Sequence, residues 1–292
     1  MIRDFLRKLY YKSKLPFSIL KTFLIKKFRY LKPKNKALSE SINSKYPELA
    51  LNAAINNETF QIFRRHHEYA YILDNVGKNN AQKLFNIIHD EYNLSAKEII
   101  EIIEPLQYCG SPRLYAIKGL PKRVSSLALS YLKIALDIKK IKGVNLGNVV
   151  EIGCGFGGQA IILDKVCKIE SYTFLDIWQV NMLIRRFLEF SEFRPNYYVS
   201  TIREYYPRLD NFDFAISNYA FCELPMNWQN IYFDKILSKS NHGYMIFNGR
   251  KNGGCFDIEM NMSQKDLSLR IPDCKFYDER PLTSPEGYLV SW

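Results

Sequence analysis

The stretch Glu151-Ile152-Gly153-Cys154-Gly155-Phe156-Gly157-Gly158 decides how this chain of 292 residues is read. It follows a short apolar run, Asn148 to Ile152, and opens onto Ala160-Ile161-Ile162-Leu163, where the spacing predicts a helix. Glycine lets the backbone turn sharply and approach a ligand that a β-carbon would hold off. Gly153, Gly155 and Gly158 satisfy the dinucleotide pattern GxGxxG, whereas Gly153, Gly155 and Gly157 give the tighter GxGxG. Glu151, two residues ahead of the first glycine, repels a pyrophosphate and favours a cationic ligand. A nicotinamide or flavin enzyme and a purely structural turn remain the alternatives at this point.

Working outward, short apolar runs alternate with helical stretches from residue 148 onward. The runs are Tyr172 to Asp176, Tyr197 to Ser200, Phe212 to Ser217 and Tyr244 to Asn248. Strands alternating with helices imply a parallel sheet covered on both faces. Cys274 to Tyr277 and Gly287 to Trp292 predict a closing hairpin. Upstream, residues 37 to about 142 read as helical. Leu84, Phe85, Ile87 and Ile88 share a face, Ser95 with Glu98 forms a capping box, and a further helix runs through Leu127 to Leu136. Gly110-Ser111-Pro112 and Gly119-Leu120-Pro121 are turn signals. The division expected is therefore an arm over residues 1–36, a helical cap over 37–142, and a ligand-binding α/β domain over 143–292.

Charge separates the arm from the rest. The chain carries 41 Lys and Arg against 30 Asp and Glu, a formal charge of +11. Residues 1–36 hold 12 of the bases and one acid, Asp4, which leaves the body with equal numbers of each. A basic balance points to nucleic acid when it covers a whole protein; here it covers an appendage, and the body is not expected to bind nucleic acid. Ile2, Phe5, Leu6 and Leu9, then Phe17, Leu20, Leu24, Phe28 and Leu31, recur at helical spacing. An arm of that pattern suits an anionic membrane surface, and a solvated tail or a helix docked on the domain is the alternative. Six scattered cysteines without a CxxC pair read as reduced thiols of a cytoplasmic protein, and neither a disulfide framework nor a metal site is expected.

Asp176 ends the second strand, 19 residues after Gly157, where a carboxylate can accept both hydroxyls of a ribose. The Glu151–Gly158 loop, Asp176 and the strand end Ser217-Asn218-Tyr219-Ala220-Phe221-Cys222-Glu223-Leu224 together resemble class I S-adenosylmethionine-dependent methyltransferases. More narrowly, residues 50 to 292 resemble the sugar O-methyltransferases of bacterial surface-glycan gene clusters. Those share a helical N-terminal part, an E-I-G-x-G-x-G-G loop, an aspartate-leucine-proline step after the second strand and a glutamate shortly after the fourth. Asp176-Ile177-Trp178 departs from the family, which usually has proline there. The resemblance implies a Rossmann-like, mostly parallel sheet with a C-terminal antiparallel hairpin. It implies S-adenosyl-L-methionine lined by Glu151, Gly153, Gly155 and Gly157, held at its ribose by Asp176 beside Ile177, with Ser217 and Asn218 next to its methionine portion.

Transfer of a methyl group to a sugar hydroxyl needs orientation and proton removal. Glu223, just past the fourth strand, is the candidate base, with helix-start capping as the alternative. Tyr219, Arg250 at the end of the fifth strand, and Arg113 in the Gly110 turn are candidate acceptor contacts, with Tyr205, Tyr206 and Trp178 as weaker ones. His242 is read as a turn residue before the fifth strand, at the wrong end of the sheet for catalysis. His66 and His67 are placed on a helix able to fold over the site. Asn218-Tyr219-Ala220-Phe221 lacks the prolines of the box usual in amino methyltransferases. An RNA methyltransferase tethered by the arm and a non-catalytic scaffold are the remaining readings. The expected location is the cytoplasm, peripheral on the inner face of the membrane if the arm binds lipid.

Overall fold

In a computed structural model, the structure describes residues 44–74, 76–191, 193–205, 211–248, 262–283 and 286–292. Residues 1–36, Tyr206 and Arg250 lie outside them. Ala37–Trp292 forms one compact unit, so the change expected near residue 142 is a change of secondary structure within that unit.

The N-terminal helices are α1 (Tyr46–Ile55), α2 (Asn57–Ile62), α3 (His67–Ile72), α4 (Lys78–Tyr92), α5 (Ala96–Ile103) and α6 (Ser126–Lys142). α2 and α3 bury one residue each, Phe60 and Tyr69, whereas α4 and α5 bury residues of the faces their periodicity predicts. In α4 the buried residues are Ala81, Leu84, Phe85 and Ile88, three and four positions apart, and Asn93 in left-handed conformation ends the helix. The capping box of α5 is present: Glu98 N donates to Ser95 Oγ at 3.3 Å and Ser95 N to Glu98 Oε2 at 2.8 Å. α6 is buried over most of its length, starts at Ser125 and stops at Gly143. Between α5 and α6 lies a hairpin the sequence did not announce, β1 (Leu114–Tyr115) against β2 (Val124–Ser125). Two-residue strands are too short to show alternation.

From residue 145 the elements are β3 (Asn145–Ile152), α7 (Gly158–Val166), β4 (Lys168–Leu175), α8 (Trp178–Phe190), β5 (Asn196–Ser200), β6 (Phe212–Asn218), α9 (Met226–Lys235), β7 (Ser240–Phe247), α10 (Gln264–Arg270), β8 (Lys275–Asp278) and β9 (Tyr288–Ser291). The strand order is β5-β4-β3-β6-β7-β9-β8. The first five are parallel neighbours, with Glu151 registered on Phe174 and Ile216. β9 returns antiparallel to β7, pairing Phe247 with Tyr288, and β8 pairs antiparallel with β9. This is the Rossmann-like sheet with a closing hairpin that the sequence predicts. Its order reverses between β3 and β6, the crevice where open α/β sheets take ligands at the carboxyl ends of their strands.

Two placements differ in detail from expectation. β7 starts at Ser240, so His242 lies inside the strand, registered on Phe214, and not in the turn before it. The strand gains those residues by pairing with β6, Phe212 on Ser240 and Phe214 on His242, and Gly243 also exchanges backbone hydrogen bonds with Trp292, N to O at 3.1 and 3.3 Å. His242 is still at the amino end of β7, away from the glycine loop. His66 precedes α3 and His67 opens it, exposed and stacked on Tyr71 with centroids 6.0 Å apart. Among the described residues no helix is long and apolar enough to cross a membrane.

Candidate functional site

The glycine loop forms a left-handed path at the head of β3, with φ of +73° at Gly153, +56° at Gly155 and +89° at Gly157. A β-carbon on Gly153 would overlap that of Ala220, just past β6. Glycine is therefore required there twice, by its dihedral and by the close approach of the fourth parallel strand. Gly153 N donates to Leu175 O at 2.9 Å, and Gly157 N to Cys154 O at 2.9 Å, which closes the turn into α7.

Asp176 meets this loop directly. Its Oδ2 accepts from Cys154 N at 2.7 Å and Gly155 N at 3.2 Å, and its Oδ1 accepts from Ile177 N at 2.7 Å. The carboxylate thus holds the loop in place, and with Oδ2 accepting twice and Oδ1 once, one acceptor site on Oδ1 is left to offer a ligand. Burial raises its pKa to about 7, with the three backbone N–H donors acting in the opposite direction. Glu151 is 2 % exposed and accepts from the Tyr172 hydroxyl at 2.9 Å. Burial raises its pKa to about 8; the Tyr172 hydrogen bond opposes the shift and the nearby Asp176 charge adds to it. Among the described residues neither acid has an ion-pair partner. Two desolvated carboxyls at the mouth of one turn favour a ligand that brings positive charge.

The end of β6 completes the floor. The Ser217 hydroxyl is consumed by backbone, donating to Ile152 O at 3.0 Å and accepting from Phe221 N at 3.0 Å, so it ties β6 to β3 beside the loop. Asn218 Nδ2 reaches Gln159 Oε1 at 3.4 Å, while its Oδ1 is buried with no hydrogen-bond partner among the described residues. Tyr219 adopts φ +65° and donates its hydroxyl to Glu279 Oε1. Glu223 ends a short 3₁₀ turn, Phe221–Glu223, on the same side of the sheet, and its Oε1 accepts from Asn248 Nδ2 at 3.1 Å. Tyr205 belongs to the core, 6 % exposed between Tyr198 and Phe212. Arg113 is exposed on the Gly110 turn, and its charge reaches the buried Asp74. Among the described residues no group of three or more His, Cys, Asp or Glu side chains converges as a metal site.

The helical region contributes residues that the sequence reading did not single out. Tyr46 of α1 is buried, its hydroxyl has no described partner, and its pKa is raised first by burial and then by the charge of Asp176. Leu73 and Tyr131 stand over Gly155, at 3.4 and 3.9 Å from where its β-carbon would lie. Arg64, fully enclosed, donates to Leu106 O at 2.8 Å and Ser125 Oγ at 2.9 Å and sits 5.1 Å from the Phe156 ring centre, so the glycine loop rests on the cap. Arg186 of α8 adds a second tie, donating to Ala53 O at 3.0 Å and Ala54 O at 3.2 Å at the end of α1. In the sequence these positions read as core aromatics and surface arginines; no local motif marks them.

No protein-family model matches the chain, and no curated protein matches it. Solved structures with a similar fold include an S-adenosylmethionine-dependent methyltransferase from Clostridium acetobutylicum, 8% identical, TM-score 0.42, covering 55% of this chain and 89% of that one. The N-methyltransferase NodS from Bradyrhizobium japonicum is 13% identical, with TM-score 0.43 and coverage of 56% and 93%. The methyltransferase domain of the bacterial protein CtHen1-CN is 18% identical, with TM-score 0.41 and coverage of 55% and 95%. Likeness at this level says nothing of substrate. The fold is established by the strand order itself.

Proposed function

We propose that the chain is an S-adenosylmethionine-dependent O-methyltransferase acting on a sugar hydroxyl in surface polysaccharide or glycolipid biosynthesis. The observation that carries the cofactor is the pair of acids, buried Glu151 and half-buried Asp176, at a glycine turn on the carboxyl side of the sheet. The residues fit the group. Glu151 offsets its positive charge, the bare backbone of Gly153, Gly155 and Gly157 lets it approach, and Asp176 with Ile177 takes the ribose. The unpartnered Asn218 Oδ1 and Tyr46 hydroxyl offer polar contacts to its amino-acid end, with Ser217 fixing the strand beside it.

The cofactor supplies an electrophilic methyl group and a neutral leaving sulfide, so the chain has to orient the acceptor and remove its proton. Glu223 is the proposed base, oriented by Asn248; general-base catalysis contributes about 10²- to 10⁴-fold. In single-turnover measurements Glu223→Gln is expected to slow transfer by roughly that range, and a change below about threefold removes it from the role. Arg113 and Arg250 are the proposed acceptor contacts. Tyr219 acts through Glu279, since its hydroxyl is already donated there. The sugar acceptor is supported by the sequence resemblance, and the proline-free Asn218–Phe221 segment argues against an amino acceptor. Transfer of tritiated methyl to crude glycolipid, nucleotide sugars and total RNA tests the choice. Labelled glycan is expected; labelled RNA alone would replace this reading with the RNA one.

A further inference from the structure

We infer a second binding site, an acceptor subsite for an uncharged, hydroxyl-rich ligand, in the cleft between α4 and the residues that follow β8, Glu279 to Leu282. The inference rests on the methyltransferase reading and names the class of acceptor that reading leaves open. The cleft has a volume of about 700 Å³ and is walled by Asn86 and Ile87 on one side and by Glu279, Arg280, Pro281 and Leu282 on the other. That volume lies in the range of small-molecule sites.

Topology puts the cleft at the working end of the sheet. Tyr288 pairs with Phe247 at the carboxyl end of β7, and Asp278 pairs with Tyr288, so residues 279–283 leave β8 at the same end of the sheet as the glycine loop. One side chain connects the two. Tyr219 directly follows Asn218 on the site floor and donates its hydroxyl to Glu279 of the cleft wall. Glu279 is 6 % exposed and is further held by Thr283, whose Oγ1 donates at 2.8 Å and whose N donates at 3.1 Å.

The charges select the ligand. Arg280 is matched by Glu91 in a two-pronged pair, Nη1 to Oε2 at 3.2 Å and Nη2 to Oε1 at 2.7 Å. With Arg280 so matched, Lys83 is the other base of the lining beside Glu279 and Glu286, and acids outnumber bases there. A phosphate or uronate entering there meets a net negative wall, whereas neutral hydroxyls find carboxylate and amide acceptors. Ile87, Pro281 and Leu282 offer apolar surface to the C–H face of a ring. The portion of the acceptor seated in the cleft is therefore an uncharged sugar of a glycan chain and not a sugar phosphate.

Saturation-transfer NMR on the full chain, with methyl hexopyranosides and the corresponding hexose 1-phosphates as probes, tests this beside calorimetric titration of S-adenosylmethionine. The methyl glycosides are expected to bind, and the phosphates at least about tenfold more weakly. Leu282 is 52 % exposed, so Leu282→Trp fills the cleft without burdening the core; it is expected to weaken glycoside binding about tenfold while cofactor affinity stays within about twofold. Glu286→Lys is expected to narrow the gap between phosphates and glycosides. Phosphates binding as tightly as glycosides, no glycoside binding, or full binding by Leu282→Trp overturns the subsite. Loss of cofactor binding alone would instead overturn the reading of the glycine loop.

Discussion

Replacing Glu151 by glutamine should make the protein more stable at neutral and alkaline pH while weakening its hold on a cationic ligand. The carboxyl is 2 % exposed, and its pKa is raised by burial from 4.5 to about 8. The unfolded chain ionises this group near its ordinary value, whereas the folded chain keeps the proton until pH approaches the raised one. The stabilisation is thus full below the unfolded value and is lost as pH climbs through the folded one. At pH 7 the loss is of order 3 kcal/mol, from 1.36 kcal/mol per unit. Glutamine keeps the shape and can still accept from Tyr172, but does not titrate. Urea unfolding midpoints of wild type and Glu151→Gln, taken from pH 5 to pH 8, should therefore diverge, the variant gaining relative stability as pH rises. In the same variant S-adenosylmethionine affinity should fall by about tenfold or more, the scale of one charge interaction at an effective dielectric near 20. Parallel stability curves would refute the claim that Glu151 is a desolvated, ligand-awaiting acid.

Three further expectations follow, two from the geometry and one from the sequence of the arm. Gly153→Ala should cost about 1–3 kcal/mol in unfolding and abolish cofactor binding, because of its φ of +73° and the overlap with Ala220; Gly77→Ala, with nothing within 4 Å, should stay within about 0.5 kcal/mol. Asp137→Ala should destabilise by about 3 kcal/mol in denaturant titration, since it strips the partner from the buried Tyr244 hydroxyl at 2.7 Å and from Lys133 at 2.6 Å. Removing residues 1–36 should reduce co-sedimentation with anionic liposomes and leave transfer to a soluble acceptor unchanged; equal pelleting defeats the membrane proposal for the arm.

The fold was legible because its signals are local and repeated. A strand segment such as Tyr244 to Phe247, buried throughout, reads as an unbroken apolar run, and the loop after β3 has glycine at Gly153, Gly155 and Gly157, where φ is positive. Ser95 with Glu98 predicted a cap that formed as expected. What the sequence does not show depends on contacts between distant residues. Arg64 reads as a surface cation, yet it is buried because Leu106 and Ser125, 42 and 61 positions away, supply its acceptors. Tyr46 and Tyr131 look like ordinary core aromatics and stand near Asp176 and Gly155 only after the cap packs. Tyr219 could be assigned to the site from its position after β6. Its engagement by Glu279 could not, since that pairing spans 60 positions and relies on the antiparallel return of β9. Ser217 likewise lies where the motif places it, but its hydroxyl serves the backbone.

The central claim is that the glycine turn and its acids hold S-adenosylmethionine, and calorimetric titration of that cofactor into wild type and Asp176→Ala tests it most directly. The account predicts saturable one-site binding to wild type and a loss of about tenfold or more in the variant, which forfeits the ribose contact and the loop's anchor at Cys154 and Gly155. Equal affinity in the two proteins, or no binding to wild type, contradicts it.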